Sequence, residues 1–78
     1  MTLENIIKAL QTVAPYYADT EKSQVWTETD RLFLSVPDRK MIREDVKMML
    51  SLGCVQPECV CPVSPEDYDP EDYWMIFL

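Results

Sequence analysis

The chain has 78 residues, with fourteen acidic residues against seven basic ones and no histidine, a formal net charge of −7. A chain this short hides only about 60% of its unfolded surface, so it fills one core and forms a single domain over residues 1–78. Hydrophobic residues at 47% and aromatics at 10% make that core attainable despite the charge, while the net acidity disfavours direct binding of DNA, RNA or anionic lipid and makes a protein with a basic surface the natural partner.

A membrane helix needs roughly 18 apolar residues in a row, and the C-terminal apolar run covers only residues 74–78. The N-terminus, with Glu4 close behind Met1, lacks a basic segment leading an apolar one. The expectation is a cytoplasmic protein that does not span a membrane.

Thr2 suits a helix cap, and Leu3, Ile6, Ile7, Leu10, Val13, Ala14 and Tyr17 follow at three- and four-residue steps, which predicts a first amphipathic helix. Pro15 removes a donor and pushes Ala14 out of helical angles, so the helix stops near there. Residues 24–36 then alternate, with Val25 and Thr27 on one side of a strand and Leu32, Leu34 and Val36 on one side of the next. Thr29 and Asp30 suit the turn between them, which predicts a hairpin. After Pro37 and Asp38 a second helix is expected, with Ile42, Val46, Met49 and Leu50 buried and Gly53 as its left-handed stop. Prolines at 57, 62, 65 and 70 forbid a long regular element before residue 73. Residues 73–78 fit a terminal strand, with a short stretch around Cys54 and Gln56 as its neighbour. The predicted fold is α+β, two helices packed on an antiparallel sheet of three to four strands, with an acidic, proline-rich loop at 55–72.

That loop holds a tandem repeat, Pro65-Glu66-Asp67-Tyr68 and then Pro70-Glu71-Asp72-Tyr73, each copy preceded by a capping residue, Ser64 or Asp69. Two tight turns or single helical turns are expected. Glu66, Asp67, Asp69, Glu71 and Asp72 are followed and preceded by no basic residue after Lys47. Residues two apart on an extended chain lie roughly 6.5 Å from each other, so a row such as Asp67, Asp69 and Glu71 imitates the spaced charges of a phosphate backbone. Tyr68 and Tyr73 offer flat contact area beside them. Glu66, Asp67, Tyr68, Asp69, Glu71, Asp72 and Tyr73 are therefore the candidate partner-binding residues, and the competing reading is a solvated loop whose acids keep the protein soluble. An EF-hand is excluded, because the glycine and the twelfth-position acid are missing.

Cys54, Cys59 and Cys61 are spaced C-x4-C-x-C, without the two close pairs of a structural zinc site and without a histidine to complete four ligands. They form a candidate metal or redox set against the alternative of ordinary buried thiols, and no cofactor is expected. Met41, Met48 and Met49 read as core filler, Met48 lying off the apolar stripe; Trp26 and Trp74 read as packing residues. Around the second helix Arg39, Lys40, Arg43 and Lys47 are interleaved with Asp38, Glu44 and Asp45, four bases less three acids leaving +1, too balanced for a nucleic-acid patch. No glycine-rich phosphate loop or G-x-S-x-G motif is present, and an enzyme is not expected.

The strand Asp30-Arg31-Leu32-Phe33-Leu34, the helix reading Glu44-Asp45-Val46 and ending Leu50-Ser51-Leu52-Gly53, and the acid-rich lead into Tyr73-Trp74-Met75-Ile76-Phe77 resemble small acidic phage and mobile-element proteins of the anti-CRISPR type. The resemblance covers about two thirds of the chain, and the proline- and cysteine-rich stretch 54–65 departs from it. It implies an inhibitor in the host cytoplasm that occupies a basic, nucleic-acid-binding surface of a CRISPR effector complex by mimicking DNA. The alternatives are a cysteine-assisted metal or redox module and a non-inhibitory interaction subunit, including a homodimer joined along a strand edge.

Overall fold

The computed structural model describes residues 1–18, 24–57 and 64–78. Helix α1 (Leu3–Val13) is capped by Thr2, whose hydroxyl accepts from the Asn5 amide at 3.2 Å, and Lys8 pairs with Glu4 one turn away at 3.4 Å. Its buried residues are Ala9 and Val13, with Ile6 and Leu10 packed partly against the core. Leu3, Ile7 and Ala14, expected on the same face, are exposed; seven apolar positions span more of the helix than the core can cover. The α-helix stops at Val13, near Pro15 as expected, but Ala14 is not pushed out of helical angles: it stays at φ −52°, ψ −41° with its amide bonded to the Leu10 carbonyl, and the chain leaves through a single 3₁₀ turn at Ala14–Tyr16.

Strands β1 (Val25–Glu28) and β2 (Arg31–Leu34) form the expected hairpin, in register Glu28 with Arg31 and Val25 with Leu34. Strand β3 (Trp74–Phe77) joins β2 antiparallel, Leu34 facing Trp74 and Arg31 facing Phe77, so the sheet order is β1-β2-β3. On the far edge of β3, Val55 exchanges two backbone hydrogen bonds with Met75 at 3.0 and 2.7 Å, a single bridge where a short strand was expected. β2 stops at Leu34, and Val36, assigned to its buried side from the alternation, is exposed. Pro37 is buried and the Asp38 amide bonds the Tyr16 carbonyl at 2.9 Å, so the chain turns towards the helices before Val36 can pair.

Helix α2 (Arg43–Ser51) buries Val46 and Met49, with Leu50 half-buried. Ile42, placed on the buried stripe from its spacing, is the N-cap and is 56% exposed, having extended angles that precede the helix. With no capping side chain of its own, α2 is started by Tyr16: the phenol accepts from the Ile42 amide at 3.2 Å and donates to the Asp45 carboxylate. Burial and the Asp45 bond raise the Tyr16 pKa, so the phenol keeps its proton. Arg39 lies 4.6 Å from the centre of the Tyr16 ring and donates to the Pro15 carbonyl at 3.3 Å. Gly53 ends α2 at φ +91°, the left-handed stop read from the sequence.

The helices cover one face of the sheet, where Leu34, Trp74 and Ile76 meet Ala9, Val13, Val46 and Met49. By strand alternation Trp26, Phe33, Met75 and Phe77 point to the other face. Among the described residues no helix is long and apolar enough to cross a membrane.

The two-residue turn sets Thr29 at φ +52°, where glycine or asparagine is favoured and a β-branched side chain is strained. Thr29→Asn should stabilise the domain by about 0.5–1 kcal/mol in urea unfolding. An unchanged or lower midpoint would show that the turn stores no such strain.

Candidate functional site

The acidic repeat folds as two short turns, each built on its own cap. Ser64 accepts from the Glu66 amide at 3.3 Å and starts a 3₁₀ turn at Pro65–Asp67; Asp69 accepts from the Glu71 amide at 2.9 Å and its carbonyl takes the Asp72 amide at 3.2 Å. An extended row of carboxylates is thus replaced by two clusters, as a proline in the first helical position of each copy dictates.

The seven candidate residues divide into two sets. Glu66, Asp67, Asp69 and Glu71 are exposed. Tyr68 turns inward, stacks on Trp74 with ring centres 6.1 Å apart, and accepts the Met41 amide on its hydroxyl at 3.2 Å. Asp72 is 2% exposed and its carboxylate accepts the Tyr73 amide at 2.8 Å. Tyr73 packs beneath the sheet against Trp26 and Phe33, at 5.8 and 5.9 Å between ring centres.

What holds the segment is Gln56, 1% exposed and not singled out by any sequence motif. Its amide nitrogen donates to the Asp69 carbonyl at 2.7 Å and, more weakly, to the Asp72 carbonyl at 3.5 Å; its oxygen accepts the Asp69 amide at 3.0 Å. This pattern fixes which end of the side-chain amide points where, because only nitrogen donates to carbonyls. The signal available in the sequence is the alternation Cys54-Val55-Gln56 on a strand-like stretch, which puts Gln56 on the same side as the core residue Cys54.

Charge is arranged unevenly. Lys40 and Arg43 line a groove of about 480 Å³ with Met41, Ile42, Pro65 and Tyr68, so the basic side of α2 faces the first turn. There Arg43 forms an ion pair with Glu66. The Ser64 hydroxyl and then Arg43 hold the Glu66 carboxyl well below its ordinary value of 4.5, at about 2. Glu66 is thus held within the molecule, and Asp67, Asp69 and Glu71 are exposed beside it.

Of the cysteine set, Cys54 is in the core, and burial pushes its thiol up to about 11, so it is neither a thiolate nor accessible at neutral pH. Cys59 and Cys61 lie outside the described residues. Among the described residues no three His, Cys, Asp or Glu side chains come together in a way that could hold a metal ion. Trp74, read as a packing residue, is fully buried, and its indole N–H meets no acceptor among the described residues; Trp26, read the same way, is 41% exposed.

No family model, no curated protein and no solved structure matches the chain.

The lowered Glu66 pKa has a direct consequence. A carboxyl whose folded pKa lies below its unfolded one contributes stability above the unfolded value, lost as pH falls from about 4.5 towards about 2. Ser64→Ala should return the Glu66 titration, followed by side-chain NMR, towards 4.5, and Arg43→Gln should raise it as well. A wild-type Glu66 that titrates at its ordinary value would contradict this arrangement.

Proposed function

We propose that the protein is a binding protein and not a catalyst, and that it acts by setting a fixed group of carboxylates on a basic, nucleic-acid-binding surface of another protein, so blocking that surface. The observation that carries this reading is the anchoring of the acidic segment. A loop needed only for solubility has no use for a buried glutamine with bonds to both sides of Asp69, a tyrosine stacked on a core tryptophan and a buried aspartate. Groups held in place before contact lose less freedom on binding, which favours affinity. Like charges held together also attract a basic partner from a distance and raise the rate of association.

A nucleic-acid-binding surface is the fitting target because it is basic by necessity and lined to receive spaced anions. The likeness of the chain to small phage proteins of the anti-CRISPR type supports a CRISPR effector complex in the host cytoplasm as that target. The thiol set has no comparable support, since Cys54 is sequestered in the core.

The test replaces three of the exposed acids and leaves Glu66 in its pair with Arg43. Asp67→Asn, Asp69→Asn and Glu71→Gln together keep the turn, because an asparagine oxygen still accepts the Glu71 amide as Asp69 does. Against an effector complex with its nucleic-acid channel empty, wild-type protein should block DNA binding, and the triple variant should do so about tenfold less well at low salt. Its melting temperature should be unchanged, since exposed charges contribute little to stability. Equal inhibition by the variant, or inhibition by wild type that ignores salt, would rule the reading out.

A further inference from the structure

Glu66 already holds a cation of this chain. Arg43, in the first turn of α2, forms an ion pair with it, and the Ser64 hydroxyl donates to the same carboxylate. The pair is not shut away from solvent: the Arg43 side chain is 57% exposed and that of Glu66 59%. A partner's side chain can reach both.

Arg43 contributes little to holding the fold. A base in the first turn of a helix opposes the helix dipole, and an ion pair this exposed adds little stability. The acidic segment has supports of its own: Ser64 caps the first turn, Tyr68 stacks on Trp74, and Gln56 fixes Asp69. The Ser64 bond also keeps the Glu66 carboxylate in position without help from Arg43. What Arg43 does change is charge. It sets a cation directly on one carboxylate of a segment proposed to attract bases, at a separation well inside the screening length of about 8–10 Å.

A second base allows this contact to be told apart from net charge. Lys47, one turn further along α2, is exposed and lines a shallow depression with Pro65, so it stands beside the same turn. Among the described residues it forms no ion pair. Arg43 and Lys47 thus offset the acids equally in number and differ in what they touch.

We propose that the pair of Arg43 with Glu66 is an autoinhibitory contact, which withholds Glu66 from a basic partner until the partner's own cation takes the place of Arg43. The inference rests on the acidic turns being the partner-binding surface, as proposed above, and concerns how strongly that surface binds. Asp67, Asp69 and Glu71 are exposed from the start, and Glu66 joins them by exchange of one cation for another.

The test titrates a fluorescein-labelled nona-lysine peptide with the full chain at low salt and follows anisotropy. Arg43→Gln and Lys47→Gln each take the net charge from −7 to −8, and Arg43→Gln combined with Glu66→Gln returns it to −7. Arg43→Gln should bind the peptide about threefold more tightly than Lys47→Gln. The double variant should bind as wild type does, because it lacks both members of a pair that already satisfied itself. Melting temperatures should all match wild type; a large loss confined to Arg43→Gln would make the pair a staple of the fold and overturn the proposal. Equal affinity of the two single variants, which leaves only net charge at work, overturns it too. So does a double variant that departs from wild type: tighter binding means that Arg43 acts through another group, and weaker binding means that Glu66 is never withheld. The Asp67, Asp69 and Glu71 variant separates these outcomes from failure of the underlying reading. If it loses affinity for the peptide, the acidic turns stand as the binding surface even where the two single variants agree. If its affinity is unchanged, that surface and the contact that regulates it are overturned together.

Discussion

One buried side chain decides whether the acidic half of this protein is a structure or a tether. Gln56 sits in the core beside the last strand with both ends of its amide engaged, and three of its hydrogen bonds run to the backbone of Asp69 and Asp72. A buried amide without partners costs on the order of 1–3 kcal/mol in proteins, so Gln56 and the turn that satisfies it require each other. The positions of Tyr68 on Trp74, of Asp72 under the turn and of Tyr73 on the open face all follow from where that turn is held.

The molecule separates its charges by use. Arg39 is laid on Tyr16 where the two helices meet, Arg43 on Glu66 and Arg31 against Phe77. Arg31, Arg39 and Arg43 thus have roles within the fold. Asp45 joins Tyr16 at the start of α2, and Asp72 is buried, so these two acids are structural as well. What faces outward near β3 is the set Asp67, Asp69 and Glu71. Sequence charge alone counts all fourteen acids as equivalent, yet only those whose position is fixed and whose carboxylates reach solvent can act together on a partner.

Much of the architecture was legible because each element carries a local signal. Thr2 and Pro15 bracket α1, Thr29 and Asp30 turn the hairpin, Gly53 stops α2, and the run at 74–77 alternates between core and open face. The errors share a cause. Ile42 and Val36 are apolar at the right spacing, but Ile42 lies one residue before α2 and Val36 two residues past β2, where the backbone has already changed direction. Leu3 and Ile7 belong to a helix with more apolar surface than two helices and three strands can enclose. The candidate site was legible in composition and not in geometry: the repeat marks the turns and their caps, whereas the inward rotation of Tyr68, Asp72 and Tyr73 depends on contacts with Met41, Gln56 and Trp26 far along the chain. No periodicity encodes contacts of that range.

The central claim is that the carboxylates are held in place before any partner arrives, and amide hydrogen exchange of the free protein tests it at a single position. The Asp69 amide, although on an exposed residue, donates to the buried Gln56 oxygen at 3.0 Å. It should exchange as slowly as the Val55 and Met75 amides of the neighbouring bridge. Replacing Gln56 with Met, similar in length and without the amide, should release Asp69 to rapid exchange while the amides between β2 and β3 keep their protection. An Asp69 amide that already exchanges at the rate of an unstructured chain in the wild-type protein would contradict the account.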